Sequence, residues 1–287
     1  MTETLSKEAL HVLKNQVDLV SNPTDNRWEL YIRVALERPL YDEIIKALKR
    51  LEGKWKGGKI EAVIFPINLP VDKQLEQMRS TGKLPPNNPN QYFGTPMLVA
   101  NTMVEMALGP ADYDSSDTHI LEPSAGRGGI IDALEAREYN GYLTAVEIEP
   151  YNYSILEASY EWDPDDWRLF HADFLLWCDR EPIAPYNRVV MNPPFKAPGK
   201  PHAYVWHILK ALDDIADNGH LISVVPDGLF TNSHKDCRML RQVMKNNDSV
   251  RIELGVDAFK ESGTRVSASI IEVRKSWTND AWKKVVE

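Results

Sequence analysis

The tightest constraint on this chain lies at residues 189–195, Val-Val-Met-Asn-Pro-Pro-Phe. A short apolar run ends in Asn192, and Pro193, Pro194 and Phe195 follow at once. The run reads as a buried strand. Neither proline has a backbone N–H for a sheet ladder, so the strand must stop there. The chain then leaves the sheet stiffly, with the Asn192 side chain at the carboxyl end of a strand. In an open α/β sheet that is where ligands bind. The Asn192 side-chain oxygen and the Pro193 carbonyl are both acceptors, and together they can take two hydrogens from one amino group. Phe195 adds a flat face beside them. This combination suits a planar ring bearing an exocyclic NH2, although a capping asparagine at a plain strand exit would have the same sequence.

The pattern on either side predicts the sheet. Strand-like runs fall at residues 117–121, 143–148, 167–171, 186–191, 220–225, 250–254 and 266–273, with helical spacing at 97–108, 130–136, 151–160, 201–216 and 233–245. Such alternation predicts an α/β, Rossmann-like fold: a mostly parallel seven-stranded sheet with an antiparallel edge pair. Residues 1–60 read as mostly helical, over 5–20, 28–36 and 40–51, with Pro39 suited to a helix start and Gly53, Gly57 and Gly58 breaking the pattern. Residues 60–67 read as one strand. Pro85, Pro86 and Pro89 mark a linker over 82–90. The expected organisation is a mostly helical N-terminal extension and linker over 1–90, a main domain over 91–276 and a polar tail over 277–287.

Charge bears on partners. The 287 residues carry a net charge of −9, unfavourable for a stand-alone nucleic-acid binder. Residues 103–187 hold 18 acids and 4 bases, a net of −14, so the remainder sums to +5. The acidic part can face away from a polyanion while the rest faces it. Cys178 and Cys237 lie far apart, without metal-ligand spacing, and read as buried small hydrophobes in a reducing cytoplasm. No basic-then-apolar leader opens the chain and no run is long enough to span a bilayer, so no membrane partner is expected.

Further candidate residues sit at predicted strand ends and helix starts. Thr95 and Pro96 suit the start of the 97–108 helix, and Phe93 would face a ligand there. The strand at 117–121 enters Glu122-Pro123-Ser124-Ala125-Gly126-Arg127-Gly128-Gly129, a glycine-rich turn before a helix. Glu122 would repel a pyrophosphate but suits an ammonium, which favours an adenosyl amino acid over a dinucleotide. Glu147 follows Gly126 by 21 positions, a spacing at which an acid can accept both ribose hydroxyls. Asp173, after the 167–171 strand, can accept an adenine amino group. Each residue alone also fits a cap or a strand-end carboxylate.

In this order the motifs resemble the class I S-adenosylmethionine-dependent N6-adenine DNA methyltransferases of the gamma motif order, over residues 91–275. Phe93-Gly94-Thr95-Pro96 resembles the family's aromatic-x-Thr-Pro element. The 122–128 turn resembles the loop at the methionine part of the cofactor, which implies contacts from Glu122, Ser124, Gly126 and Gly128. Glu147-Ile148-Glu149-Pro150 resembles the ribose-binding strand end, with Ile148 against the adenine ring. His171-Ala172-Asp173-Phe174 resembles the adenine-amino contact. Asn192, Pro193, Pro194 and Phe195 resemble the catalytic motif, with Asn192 also at the cofactor.

The resemblance implies S-adenosyl-L-methionine as cofactor and direct methyl transfer to a flipped adenine of DNA, with neither a covalent enzyme intermediate nor a metal. Lys196 and Lys200 could touch phosphate or be ordinary exposed lysines. The family usually carries a target-recognition domain after the catalytic one, whereas a short tail follows Val273 here. Recognition is then expected from residues 1–90, from loops near 197–202 and 230–234, from a partner subunit, or from a homo-oligomer. RNA adenine and protein glutamine are rival substrates. A non-catalytic, methyltransferase-like subunit is a rival of another class, opposed by the intact Asn-Pro-Pro-Phe and glycine turn. The Glu122 turn disfavours a nicotinamide-dependent oxidoreductase.

Overall fold

A computed structural model describes residues 4–66, 71–84, 94–110, 114–179, 185–255, 257–259 and 266–275. The chain divides into two compact units, Met1–Pro89 and Asn90–Glu287. The described residues contain no helix long and apolar enough to cross a membrane.

The first unit mixes helix and sheet. Helix α1 (Lys7–Asn15) starts at Ser6, whose Oγ accepts the Ala9 N–H and donates to Glu43. It ends where the apolar spacing changes. Val17, Leu19, Trp28, Leu30 and Ile32 recur every second residue, and they form β1 (Val17–Asn22) and β2 (Arg27–Ile32). The hairpin between them closes through the Asn26 N–H, which donates to the Pro23 carbonyl, with Asn26 at φ 52°. Asparagine tolerates that left-handed backbone, so Pro-Thr-Asp-Asn is a turn signal. The expected helices over 16–20 and 28–36 are therefore strands, and the extension is not mostly helical. Helix α2 (Arg38–Arg50) falls on the predicted stripe, with Pro39 in its first turn and Ile44, Ile45, Ala47 and Leu48 buried. Strands β3 (Lys54–Lys56) and β4 (Ala62–Pro66) complete an antiparallel sheet ordered β1-β2-β4-β3. Helix α3 (Val71–Thr81), which the residue spacing does not announce, follows.

Gly53 makes the turn from α2 into β3 fit. A Cβ there would lie 2.5 Å from Val63 Cγ1, 2.7 Å from Phe65 Cε1 and 2.8 Å from the Leu48 carbonyl oxygen.

The second unit begins with α4 (Met97–Leu108). It continues through β5 (His119–Glu122), α5 (Gly129–Ala136), β6 (Tyr142–Glu147), α6 (Pro150–Ser159), β7 (Trp167–His171) and β8 (Arg188–Met191). After these come α7 (Ala203–Asp214), β9 (His220–Pro226), the single turn α8 (Gly228–Thr231), α9 (Lys235–Asn246), β10 (Asp248–Glu253) and β11 (Ala268–Arg274). Seven strands form one sheet ordered β10-β11-β9-β8-β5-β6-β7, parallel except at β10 and β11. This is the predicted α/β sheet with its antiparallel edge pair.

Alternation along each strand builds a core on each face. Ile120, Ala145, Val190 and Ile222 pack with Val99, Met103, Ile131 and Leu134 of α4 and α5. Leu121, Val146, Val189 and Leu221 pack with Val205, Ile208 and Leu240 of α7 and α9. Cys237 is buried as expected, while Cys178 is exposed, and both are free thiols. The expected tail at 277–287 lies outside the described residues.

Gly53→Ala is expected to destabilise the protein by about 1–3 kcal/mol, because β4 and the end of α2 must both shift. Chemical denaturation with a probe in the first unit measures this, and an unchanged midpoint would mean the turn has room to spare.

Candidate active site

The strand order reverses beside β5. The chain runs β5, β6, β7 outward to one edge, then returns to place β8 on the other side of β5. The segments after β5 and β8 therefore diverge, opening a crevice at their carboxyl ends. A cavity of about 360 Å³ lies there, within the range of small-molecule sites.

Glu147, the last residue of β6, organises one wall. It is 6% exposed. Its Oε2 accepts the Gly126 N–H at 2.7 Å, and its Oε1 accepts the Glu149 N–H at 2.7 Å. Gly126 sits at φ 59°, a conformation glycine adopts at low cost. The Ala125 N–H donates to the Val146 carbonyl at 3.1 Å, a second tie between the two strand ends. Burial pushes the Glu147 carboxyl up to about 7, against the two N–H donors that favour its charge.

Asn192 follows β8 directly, and its Nδ2 donates to Thr95 Oγ1 at 3.1 Å. With Nδ2 as the donor, Oδ1 is the acceptor end of the amide. Thr95 is itself fixed by close packing, since a Cβ on Gly129 would lie 2.8 Å from the Thr95 carbonyl oxygen. Phe195 is half-buried and meets Tyr204 edge-on, with centroids 6.2 Å apart and an interplanar angle of 72°. The Ala197–Lys200 turn, closed by reciprocal backbone hydrogen bonds with Gly199 at φ 71°, brings Lys200 to the cavity. Lys196 is exposed and is not among the residues lining the cavity.

The remaining candidates divide. Thr95, Ser124, Gly126, Glu147, Ile148 and Asp173 line the same cavity as Asn192, Pro193, Pro194 and Phe195. Ile148 is 46% exposed, an apolar side chain presented at the opening. Asp173 Oδ1 accepts the Leu175 N–H at 2.9 Å, leaving the second oxygen for a ligand. Gly128 does not line the cavity. It stands at φ 90° against Tyr160, whose hydroxyl would lie 2.0 Å from an added Cβ, so its glycine is a packing requirement. Glu122 is 1% exposed, also does not line the cavity, and its Oε2 has no hydrogen-bond partner among the described residues. Burial, then the nearby Glu147 and Asp132, hold its carboxyl well above the ordinary range. Glu122 is therefore not brought to the cavity, where the sequence suggested a place beside an ammonium. Phe93 lies outside the described residues.

Sequence reasoning missed His207, Asn152, Phe259 and Val266, which also line the cavity. His207 is 8% exposed on α7, and its Nδ1 lies 2.9 Å from the Ala203 carbonyl. A carbonyl only accepts, so Nδ1 carries the proton and Nε2 is an acceptor. Burial pulls the His207 pKa down and keeps the ring neutral, with Asp173 opposing and Lys200 reinforcing the shift. The available signal was a single polar residue on the apolar stripe of Tyr204, Ile208 and Ala211. Among the described residues no group of three or more His, Cys, Asp or Glu could hold a metal ion.

No protein-family model matches the sequence. Solved structures share the fold. A type I restriction-modification methyltransferase subunit from Streptococcus thermophilus superposes with a TM-score of 0.54 at 20% identity, covering 66% of this chain and 47% of that one. This chain thus spans about half the length of that subunit. A protein described as a class I S-adenosylmethionine-dependent methyltransferase, from Listeria monocytogenes, gives a TM-score of 0.51 at 16% identity, over 72% and 68% of the two chains. The second unit has the Rossmann-like class I methyltransferase fold.

Glu122→Gln tests the neutral carboxyl. Below pH 4.5 the group is protonated in both folded and unfolded chains. Above it the unfolded chain releases the proton while the folded chain keeps it, so its contribution to stability is lost as pH rises. Relative to the parent, Glu122→Gln is expected to gain stability as pH rises from 5 to 8. Urea denaturation at both pH values measures it, and a difference independent of pH would mean that Glu122 ionises in the fold.

Proposed function

We propose that this chain is an S-adenosylmethionine-dependent methyltransferase acting on the N6 amino group of adenine in DNA. The observation that carries this is Asn192, held at the carboxyl end of β8 by Thr95, in one cavity with Glu147 and Asp173. The cavity residues fit an adenosyl amino acid. Glu147 faces the position of a ribose, Ile148 offers an apolar face to a purine, and Asp173 offers a carboxylate oxygen to an exocyclic amine. His207 adds a neutral acceptor whose field includes Asp173. Gly126 and Ser124 leave the backbone open to close approach. Bound there, S-adenosylmethionine supplies an electrophilic methyl group.

The residues around Asn192 act on the amine. The N6 lone pair of adenine is delocalised into the ring and is weakly nucleophilic. Asn192 Oδ1 and the Pro193 carbonyl accept the two amino hydrogens and localise that pair on nitrogen. Pro193 and Pro194 stiffen the backbone, so little reorganises during the reaction. Phe195 stacks on a base turned out of the duplex. Lys200, at the cavity, and Lys196, outside it, are placed for flanking phosphates. A partner subunit or a second copy of the chain supplies part of the target choice.

Labelled methyl transfer to duplex DNA, structured RNA and a glutamine-containing protein, with nucleoside analysis of the DNA product, tests the substrate. N6-methyladenine from DNA is the expected result, and label confined to RNA or protein would overturn it. Asn192→Ala is expected to lose at least about 10²-fold in transfer rate while cofactor affinity holds. Thr95→Val should lower the rate by a smaller factor, because the amide of Asn192 loses the hydroxyl that accepts from its Nδ2. Glu147→Ala should weaken cofactor binding, measured by calorimetry, and unchanged affinity would remove it from the ribose position.

A further inference from the structure

The first unit carries a surface that methyl transfer leaves unused. Between residues 46 and 59 stand six bases and one acid, Glu52. The contrast with the rest of the chain is large, since residues 1–89 sum to +2 and residues 90–287 to −11. The stretch runs from the last turn of α2 through β3, which among the described residues is an outer strand paired with β4 alone. Lys54, Trp55, Lys56 and Lys59 are all exposed. The three ammonium groups join no ion pair among the described residues.

Lysines on an outer strand ordinarily guard against strand-to-strand association. Trp55 works against that purpose, being 45% exposed. It meets Tyr41 edge-on, with centroids 6.2 Å apart and an interplanar angle of 80°, so the ring is steadied on one side. Alternation along β3 puts Lys54 and Lys56 on one face and Trp55 on the other. The strand edge therefore presents positive charge on one face and an exposed indole on the other. A nucleic-acid backbone matches that pairing, with phosphates at the ammonium groups and a base or sugar against the ring. An acidic peptide would satisfy the lysines, but its carboxylates offer the indole no face to stack on.

We infer that the β3 edge, through Lys54, Trp55, Lys56 and Lys59, is a docking surface for the phosphate backbone of DNA. It holds the substrate of the proposed reaction, and it rests on DNA being that substrate.

The test is anisotropy of a labelled DNA duplex titrated with the full chain across a salt series. The combined variant Lys54→Gln, Lys56→Gln and Lys59→Gln is expected to bind at least about 10-fold more weakly near ~100 mM salt. Its slope of log affinity against log salt should fall by roughly 2–3, at about 0.9 for each phosphate no longer neutralised. Trp55→Ala should weaken binding with the slope retained. Arginine at the same three lysine positions keeps the charge and should restore the slope, which separates charge from folding. Unchanged affinity and slope in the glutamine variant would overturn the inference and leave the lysines as edge protection. Tighter binding of an RNA duplex, abolished in the same variants, would overturn the assignment to DNA. The two readings fail separately: methyl transfer to DNA with parent-like binding by the variants sinks the surface alone, while loss of binding without transfer sinks the reaction.

Discussion

One buried carboxylate ties the candidate site together. Glu147 accepts N–H groups from two loops at once, Gly126 after β5 and Glu149 after β6, each at 2.7 Å. A carboxylate taken out of water needs such partners, and the opposed effects on its pKa show the tension between burial and hydrogen bonding. The bonds set the distance between two strand ends, and that distance is one wall of the cavity. Gly126 can turn its N–H inward because its backbone is left-handed. The glycine and the glutamate are thus parts of one device, 21 residues apart in sequence.

The opposite wall depends on topology. Only the reversal of strand order brings β8 beside β5, and with it Asn192 to the cavity that holds Gly126 and Glu147. Thr95 then links a third segment to Asn192, while its carbonyl lies against Gly129 at the start of α5. The site is built from the ends of β5, β6, β7 and β8, from Thr95 before α4, and from Asn152 of α6 and His207 of α7.

Much of this was legible in the residues. The two prolines after Asn192 forced a strand to end there, and alternating patterns gave all seven strands of the second unit. Spacing from the glycine turn found Glu147. Errors arose where two periods compete. Residues 17–36 hold apolar side chains that fit a loose helical stripe, yet they alternate, and Asn26 at positive φ decided for a hairpin. Glu122 reads as the opening of the glycine turn but is the buried last residue of β5, because sequence does not reveal whether a strand-end carboxyl faces a cavity or the core. His207 escaped notice for the complementary reason. A polar residue on an apolar helix stripe looks like core until the cavity beside it is known.

The pairing distances also set an order of assembly. In the first unit β2 reaches β4 across a longer stretch, while two of the three pairings join strands close in sequence, β1 with β2 and β3 with β4. Contacts of that kind close short loops and form fast. In the second unit β5 gains its partner β8 only when residue 188 is in place, because Ile120 pairs with Arg188. On the ribosome, therefore, the glycine turn and Glu147 emerge well before the strand that carries Asn192. The wall of the cavity that Glu147 organises is thus synthesised before the wall that faces it, and the two meet only when β8 takes its place beside β5.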